Sequence, residues 1–308
     1  MEKVSVIIPT YRRFDTLFRA IDSVKNQSYK NIEIIVVDDN YEDYSLRNKI
    51  KEKINLEYTD VKYIAKNIHL GGAQARNVGI EHASSEFIAF LDDDDEFKPN
   101  KIEKQLSYLK ENNSISLVYC HGTIIYPNGK IEIENTSYEG NPLAIQMYFN
   151  IAGTSFWMIK KSVLLSIGGF ESIHSHQDGV VLLKLLANGY KVGVIKEDLV
   201  TYYAHDKNSG ITGVTEKSLI ADKTYYEMCQ QYFNLLTDKE REIVQFSYYK
   251  DRILDLLRLN KEDLAHKAKN EYLKLSHSFM LKLKLRIIWI NRKTLLKKLL
   301  KNDEKYGG

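Results

Sequence analysis

The most chemically distinctive stretch of the chain is a run of four carboxylates, Asp92 to Asp95, that directly follows five apolar residues. The apolar run from Phe87 to Leu91 is short and partly aromatic, which predicts a strand buried on both faces that ends near Leu91. Two carboxylates about 4 Å apart repel each other by roughly 4 kcal/mol at an effective dielectric constant near 20, so the run needs compensating charge. Mg²⁺ or Mn²⁺ compensates best, because each binds one or two carboxylates and completes its coordination with water and phosphate oxygens. We therefore expect a metal–diphosphate site here; the alternative is a solvated acidic turn in which Asp95 caps the next helix.

A second pair of carboxylates follows another apolar stretch. Ile32 to Val37 is predicted to form a buried strand, and it runs directly into Asp38 and Asp39. The segment from Gly71 to Ile80 is typical of a glycine-opened helix whose N-terminus can bind an anion, with Arg76 adding a bidentate contact. Alternating strands and helices predict a mostly parallel sheet whose acidic strand ends share one edge. Ligands of open α/β sheets bind at that edge, so we expect these groups to form one site.

The other elements are predicted from apolar spacing and turn residues. Val4 to Pro9 is predicted to form a buried strand stopped by proline, and Asp15 is expected to cap the helix that follows. Further along, the patterns predict a helix from Lys101 to Glu111, a hairpin of Val118–Ile125 with Ile131–Ile133, a strand at Phe156–Ile159, a helix from Val180 to Ala187 closed by Gly189, and two separate strands, Lys191–Ile195 and Leu199–His205.

Composition is typical of a globular protein from a reducing compartment. The 308 residues suffice for one large or two modest domains. Cys120 and Cys229 are far apart and in no metal-binding spacing, which excludes a disulfide framework. Met1 to Lys3 leads directly into a strand pattern, so we expect no signal peptide. No uncharged apolar run approaches the roughly 20 residues of a membrane span, and we expect a cytoplasmic protein.

The net charge of +3 conceals a basic C-terminal part. From Arg241 onward the chain has 17 Lys/Arg and 8 Asp/Glu, a net of +9, whereas residues 1–240 carry a net of −6. The two parts therefore face different partners. Three helices rich in Tyr and Leu are predicted in the C-terminal part: Glu216–Asn234, Lys239–Leu259 and Glu262–Ser276.

The tail from Phe279 to Lys301 contains eight basic residues and no acid. Its apolar residues form a helical stripe interrupted by Arg292: Leu281, Leu285, Ile288, Leu295 and Leu299. A basic amphipathic helix of this kind binds anionic membrane surfaces; the alternative is a helix packed on the rest of the protein or on another subunit. Nucleic-acid binding is disfavoured, because no recognition motif accompanies the charge.

Six segments carry a resemblance to a known family. They are VSVIIPTYRR, IIVVDDN, GGAQARNVGI, FLDDDD, GGF and QDGVVLLKLLANGYKV, and in this order they resemble the family-2 glycosyltransferases over residues 3–205. The resemblance implies a GT-A fold of the α/β class, with a Rossmann-like, mixed and mostly parallel sheet and helices on both faces. It places a glycosyltransferase domain at 1–210, with a nucleotide-binding half at 1–95 and an acceptor half at 96–210. The C-terminal helical region, 211–308, extends beyond it.

The family resemblance also implies the donor chemistry. Family members are inverting, usually metal-dependent enzymes that transfer sugars from nucleoside diphosphate donors. By resemblance, Pro9, Thr10 and Tyr11 line the nucleobase pocket, Asp39 accepts a hydrogen bond from the uracil N–H, Arg76 lies near the nucleotide, Asp92 and Asp93 flank the ribose and the sugar, and Asp94 coordinates Mn²⁺ or Mg²⁺.

Acceptor chemistry is implied for the residues near Asp178. The family often has Glu-Asp where this chain has Gln177-Asp178, so the catalytic base is kept while Gln177 lacks a charge that could contact the acceptor. Without the resemblance, Asp178 is equally well explained as the N-cap of a helix beginning at Val180. His205 occupies the position of an additional metal ligand in many relatives; a structural role is the alternative. Trp157 could stack on the acceptor sugar, with burial in the core as the alternative.

The resulting expectation is a cytoplasmic transferase that moves a sugar from a UDP-sugar to a lipid-linked or protein-linked glycan. The tail would bring it to the inner face of the membrane. A sugar-phosphate nucleotidyltransferase is the first alternative, but Pro9 to Arg13 lacks the glycine-rich phosphate loop that such enzymes need. The second is a non-catalytic assembly module, which the presence of Asp39, Asp94 and Asp178 disfavours.

Overall fold

A central sheet organises the part of the chain that the computed structural model describes, residues 2–205 and 213–298. Its strands are β1 Val4–Thr10, β2 Ile32–Asp38, β3 Val61–Ala65, β4 Phe87–Phe90, β5 Glu96–Phe97, β6 Leu117–Ile125, β7 Ile131–Glu134, β8 Trp157–Lys160 and β9 Val192–Tyr203. The helices are α1 Asp15–Lys25, α2 Tyr44–Glu57, α3 Gly71–His82, α4 Lys101–Glu111, α5 Leu143–Gln146, α6 Lys161–Ser166, α7 Gln177–Ala187, α8 Glu216–Gln230, α9 Asp238–Arg258, α10 Glu262–Leu275 and α11 Phe279–Ile290.

The sheet is mixed, with four neighbouring parallel strands from the N-terminal half of the chain. The strand order is β3-β2-β1-β4-β8-β6-β9-β5, and β7 pairs with β6 as the predicted hairpin. Strands β3, β2, β1 and β4 run parallel, β8 is antiparallel to both of its neighbours, and β9 is parallel to β6. This topology confirms the predicted α/β class.

The register of the parallel strands brings the two acidic strand ends together. Thr10 at the end of β1 pairs with Asp38 at the end of β2, and Ile7 of β1 pairs with Phe90 at the end of β4. The strands are short and almost wholly buried, as their apolar sequences predict. The sheet therefore presents the residues after β1, β2 and β4 along one edge.

Two local predictions are wrong. Asp15 does not cap α1: it is the first residue of the helix, and the capping position is Phe14, which makes no side-chain cap. The two strands predicted between Lys191 and His205 are a single strand, β9. The register against β6 shifts at Cys120 and again at His121, which lets a polar stretch bulge out without ending the strand.

The C-terminal helices divide their apolar residues between two clusters. The first is the core of the sheet, and it includes Tyr225, Tyr226 and Cys229 of α8. The second is smaller and belongs to the C-terminal helices; it contains Leu219, Ile253, Leu256, Leu257, Ala265, Ala268, Tyr272 and Leu285. Helix α8 thus contributes to both clusters, whereas the domain boundary proposed at residues 210–211 lies outside the described residues.

The tail forms a shorter helix than the sequence predicts. Helix α11 ends at Ile290, and residues 292–298 are again helical after a turn at Asn291. The predicted apolar stripe faces the protein, since Leu285 is buried and Leu281 packs against the second cluster. Leu299 and Lys301 lie outside the described residues. No helix among the described residues combines the length and the apolar character that a membrane span requires.

Candidate active site

The residues that follow β1 and β2 are tied together by backbone and carboxylate contacts. The backbone N–H of Asp39 donates to the carbonyl of Thr10 at 3.0 Å. The backbone N–H of Tyr11 donates to Oδ2 of Asp93 at 3.2 Å. Thr10 is buried, and Pro9 beside it is only partly exposed. The structure thus brings together the predicted nucleobase-side residues and the carboxylates at the end of β4.

Asp39 fixes the loop that precedes α3. Its Oδ1 accepts from the backbone N–H of Leu70 at 2.6 Å, and its Oδ2 accepts from that of Gly71 at 2.8 Å. Gly71 has φ +72°, a conformation that glycine adopts without strain. The Nδ1 atom of His69 lies 3.0 Å from Oδ2, and its ring lies 5.1 Å from that of Tyr11. An aromatic pair therefore borders the Asp39 carboxylate.

Asp95 is a structural residue. It is fully buried, and it accepts hydrogen bonds from Oγ of Ser155 at 2.6 Å and from the backbone N–H of Tyr203 at 3.1 Å. Burial and the neighbouring carboxylates raise the pKa of Asp95 well above its usual value. The alternative in which Asp95 caps the next helix is wrong, because α4 begins only at Lys101. Asp95 instead joins the end of β4 to β9.

Asp94 and His205 are in direct contact through Oδ2 and Nε2. The guanidinium of Arg13 lies against both, with one nitrogen 2.9 Å from Asp94 Oδ2 and 2.9 Å from His205 Nε2. Its other nitrogen donates to Oδ1 of Asp93 at 2.6 Å. Burial acts to raise the pKa of Asp94, but the contacts with His205 and Arg13 outweigh it and lower that pKa. At Asp93 burial prevails and raises the pKa.

The donor set at Asp94 and His205 fits a metal ion whose coordination a nucleotide completes. In residues 2–205 and 213–298 no group of three or more His, Cys, Asp or Glu side chains could hold a metal ion. Mg²⁺ commonly uses one or two protein ligands together with substrate phosphates and water. The side chains present suit such a shared site better than a closed protein cage.

Arg76 connects the end of β4 to the start of α7. One guanidinium nitrogen lies 2.5 Å from Asp92 Oδ1, and the other donates to Oε1 of Gln177 at 3.0 Å. A Cβ atom at Gly72 would lie 3.1 Å from this guanidinium, so a glycine there leaves room for it. Gln177 thus helps to hold Arg76 in place, and its contact with the acceptor stays a prediction.

Asp178 is the second residue of α7, whose N-cap is His176, so the alternative in which Asp178 caps the helix is wrong. Oδ1 of Asp178 accepts from the backbone N–H of Gly179 at 2.8 Å, and Oδ2 accepts from Nδ2 of Asn150 at 2.8 Å. Burial raises the pKa of Asp178 above its usual value. The carboxylate is therefore held in one orientation with increased proton affinity.

A cavity of about 290 Å³ lies between Asp92 and Asp178. The rings of Phe156 and Tyr202, which line it, lie 6.2 Å apart. Trp157 does not reach it: the side chain is fully buried beside Phe90 and Phe170, so the expected stacking on an acceptor sugar is wrong and the core alternative is correct. Other lining residues are Tyr119, Glu134, Thr136, Asn150, Thr154 and Ser155.

Helix α8 packs against the start of α7, which carries Asp178. His176 has φ +63°, its Nε2 lies 2.7 Å from Oδ1 of Asp222, and its ring stacks on Tyr225 at 4.7 Å. The Tyr225 hydroxyl donates to the carbonyl of Gln146 at 2.8 Å, and the amide of Gln146 donates to the carbonyl of Gly179 at 3.3 Å. Helix α8 thus reaches the residues on both sides of the Asp178 carboxylate.

Comparison with known proteins identifies the family. The sequence model described as "Glycosyl transferase family 2" matches residues 5–168, more than half of the chain. The chain belongs to glycosyltransferase family 2. An uncharacterized glycosyltransferase of Haemophilus influenzae is 30% identical over 238 residues, 72% of this chain and 76% of the relative. The Escherichia coli protein named "UDP-Glc:alpha-D-GlcNAc-diphosphoundecaprenol beta-1,3-glucosyltransferase WfgD" is 40% identical over 127 residues, 41% of this chain and 47% of that protein.

Solved structures of glycosyltransferases share the fold. S. aureus TarS 1–349 in complex with UDP-GlcNAc aligns with a TM-score of 0.59 at 15% identity, over 94% of this chain and 92% of TarS. The mannosyltransferase PcManGT of Pyrobaculum calidifontis, in complex with GDP-Man and Mn²⁺, aligns with a TM-score of 0.62 at 13% identity, over 98% and 84% of the two chains. At these identities the likeness confirms the GT-A fold of this family 2 member and nothing finer.

Sequence reasoning missed several residues of this family 2 site. Arg13 and His69 are near carboxylates only because β1, β2 and β4 end together, and Asn150 meets Asp178 across a distance of 28 residues. His176 gave no signal, since positive φ in a non-glycine residue is not written in a single sequence. The adjacent pair Arg12 and Arg13 was the one sequence signal for a cation near these carboxylates.

Proposed function

We propose that this glycosyltransferase is a metal-dependent, inverting enzyme that transfers a sugar from a UDP-sugar to a hydroxyl group of a lipid-linked glycan. The observation that carries the proposal is a cavity that both Asp92 and Asp178 line. One carboxylate belongs to the edge that bears Asp94 and His205, and the other is an oriented base. A donor sugar and an acceptor hydroxyl could meet between them.

The donor side suits a uridine nucleotide. The paired rings of Tyr11 and His69 could receive a flat base, and Asp39 beside them carries acceptor oxygens for an N–H group. The complexes of TarS with UDP-GlcNAc and of PcManGT with GDP-Man show that this fold serves more than one nucleotide. When bound at Asp94 and His205, the metal ion would neutralise negative charge that develops on the leaving diphosphate.

Asp178 would act on the acceptor. Its carboxylate accepts the proton of the hydroxyl group that attacks the anomeric carbon, and this single displacement inverts that centre. Asn150 and the Gly179 N–H hold the two oxygens, so one orientation is kept throughout the reaction. Because burial raises the pKa of Asp178, the base is a better proton acceptor than an exposed aspartate.

The acceptor proposal rests on chemistry and on a relative. Phe156 and Tyr202 offer apolar ring faces, and Glu134 and Thr136 offer polar groups, to a sugar that enters the cavity. The name of WfgD specifies a diphosphoundecaprenol-linked GlcNAc acceptor, which supports a lipid-linked substrate for this chain. A role in polysaccharide biosynthesis follows from that acceptor class.

A transfer assay tests the proposal. The full-length protein would be incubated with UDP-glucose, UDP-galactose, UDP-GlcNAc, UDP-GalNAc or GDP-mannose and with GlcNAc-diphosphate-lipid, in Mn²⁺ or in EDTA. We expect transfer from a UDP-sugar, loss of transfer in EDTA, and a product whose anomeric configuration, read by NMR, is opposite to that of the donor. Retention of configuration, or undiminished activity in EDTA, would contradict the mechanism.

We also propose that the tail places the enzyme on an anionic membrane surface. With the predicted stripe packed inward, α11 exposes a second apolar face, where Phe279 and Ile290 are 73% and 74% exposed and Met280, Leu283 and Ile287 are also exposed. Lys284 and Arg286 are exposed on the same helix, which matches a surface of negative lipid headgroups. Co-sedimentation with vesicles of phosphatidylglycerol, compared with phosphatidylcholine, measures this binding.

A point substitution is a better test of the membrane than removal of the tail. Deleting residues 279–308 would take Leu285 out of the second cluster, where it is fully buried. Such a deletion would lower stability whether or not the tail binds lipid. Exposed positions such as Ile287 avoid this ambiguity.

A further inference from the structure

Arg13 occupies the centre of the proposed metal site. Its guanidinium lies 2.6 Å from Asp93 Oδ1, 2.9 Å from Asp94 Oδ2 and 2.9 Å from His205 Nε2. Two of these three atoms, Asp94 Oδ2 and His205 Nε2, are those that would coordinate a metal ion. The side chain of Arg13 is 36% exposed, so it has a route into solvent.

The carboxylate run is therefore compensated without a metal ion. Arg13 pairs with both Asp93 and Asp94, and Arg76 pairs with Asp92, so the chain itself offsets part of the negative charge. Compensation by the chain itself explains how several carboxylates at one strand end can stay close together in a folded protein. A divalent ion entering at Asp94 would meet a positive charge already in contact with its ligands.

We propose that Arg13 is a built-in competitor of the metal ion. The ion displaces the guanidinium from Asp94 and His205, and the freed side chain pairs with the diphosphate that arrives with the ion. Metal binding is then weak in the absence of a nucleotide and strong in its presence, because the diphosphate supplies both metal ligands and a new partner for Arg13. This inference rests on the metal site of the proposed function and adds an order of binding to it.

The neighbouring arginines do not share this role. Arg12 is 67% exposed, and its nearest carboxylate is Glu42 at 3.9 Å. Arg19 donates to the backbone carbonyl of Asp94 and pairs with Glu96 at 3.1 Å, so it leaves the Asp94 carboxylate alone. Arg12→Gln therefore removes the same charge as Arg13→Gln without touching the proposed ligands, which makes it a matched control.

The test is a Mn²⁺ titration of the metal-free, full-length protein followed by electron paramagnetic resonance, with and without UDP. Without UDP, Arg13→Gln should bind Mn²⁺ at least about tenfold more tightly than the wild type, because a cation that repels the ion has been removed. Arg12→Gln and Arg13→Lys should stay near the wild-type affinity. With UDP, the wild type should gain most in Mn²⁺ affinity and Arg13→Gln least.

Thermal denaturation gives a second readout. Mn²⁺ alone should raise the unfolding midpoint of Arg13→Gln by more than that of the wild type, since the variant binds the ion more tightly. If Arg13→Gln fails to fold, Arg13→Met, which keeps an apolar stem of similar length, replaces it with the same expectations.

Equal Mn²⁺ affinity of the wild type and the uncharged Arg13 variants without UDP would overturn the inference. If the wild type nevertheless forms a tight Mn²⁺–UDP complex, the proposed function stands and only the role of Arg13 falls. If no variant binds Mn²⁺ even with UDP, the metal dependence fails, and the inference falls with it.

Discussion

The sheet edge of the active site and the surface of α11 both concentrate charge, but the charges are paired at the edge and exposed on α11. At the edge, Arg13 and Arg76 are held against carboxylates, and the aspartates they contact are largely buried. On α11, Lys284 and Arg286 are exposed, and the structure pairs neither with a carboxylate of the described residues. Buried, oriented charges respond strongly to the loss of one partner, whereas exposed charges act together and are screened by salt. Charge thus holds side chains in position in one region, and in the other we propose that it attracts an anionic surface.

The sharpest test of the positioned charges is Asp94→Ala. We expect metal-dependent transfer to be abolished, because the substitution removes the proposed ligand oxygen that also contacts Arg13 and His205. The fold should persist, because Arg13 keeps its contact with Asp93 and is 36% exposed to solvent. Transfer assays and circular dichroism measure the two outcomes. Asp60→Ala, which removes a carboxylate that pairs with Lys25 instead, should keep full activity.

Asp178→Asn should lower turnover by at least about 10²-fold, the usual scale of general-base catalysis. Binding of the UDP-sugar should change little, because asparagine keeps the shape of the side chain and an oxygen for the Gly179 N–H. Calorimetry of donor binding beside a transfer assay decides between the two effects. Weaker donor binding with unchanged turnover would remove Asp178 from the role of base.

On α11, Ile287→Glu should lower the affinity for phosphatidylglycerol vesicles by about tenfold. This factor corresponds to the free energy of burying one large apolar side chain. The unfolding midpoint should not change, because Ile287 is 49% exposed. Leu264→Glu on α10, which is 45% exposed outside the basic tail, is the matched control and should bind as the wild type does. Vesicle binding that does not depend on salt concentration or on headgroup charge would contradict the proposed electrostatic attraction.

His176→Asn tests whether α8 positions the base. Asparagine tolerates the positive φ but cannot stack on Tyr225, and we expect turnover to fall about three- to tenfold, in line with an aromatic contact of roughly 1 kcal/mol. The Michaelis constant for the donor should equal that of the wild type, because His176 contacts α8 and not the proposed donor residues. A purely structural role would instead lower the unfolding midpoint and leave turnover per folded molecule unchanged.

The smallest expected effect is a pH dependence of stability at Asp94 and His205. The contact with Asp94 raises the pKa of His205. The contribution of protonated His205 to folding stability is therefore complete below pH 6.5 and is lost as the pH rises through the raised pKa. Burial acts to raise the pKa of Asp94, but the contacts with His205 and Arg13 lower it overall. The contribution of Asp94 to folding stability is therefore complete above pH 3.8 and is lost as the pH falls through the lowered pKa. The metal-free protein should be most stable between these values. His205→Gln should reduce the decline above pH 6.5, a change of about 1–3 °C in the unfolding midpoint.

Much of the fold is readable from local sequence. Helix α4 spans Lys101–Glu111 as predicted, and the apolar runs located β1, β2, β4 and β6 to within about two residues. The two-residue strand β5 was not predicted. The failures share a cause. The continuity of β9 and the partners of Arg13 depend on which distant residues lie opposite, and a single sequence carries no such pairing. The predicted need for a metal to offset the carboxylates overlooked arginines that only the fold brings near.

The bulge in β9 has a consequence for how the chain tolerates changes in length. Where β6 advances from Cys120 to His121, its partner in β9 advances from Ile195 to Asp198, which leaves the exposed Lys196 and Glu197 outside the ladder. A deletion of one residue here would shorten the bulge and keep the alternation on either side of it in phase. The same deletion between Val200 and Tyr203 would turn every later side chain of the strand to the opposite face. The part of β9 that tolerates insertions and deletions therefore precedes the active site, and a change of length there leaves the position of His205 unchanged.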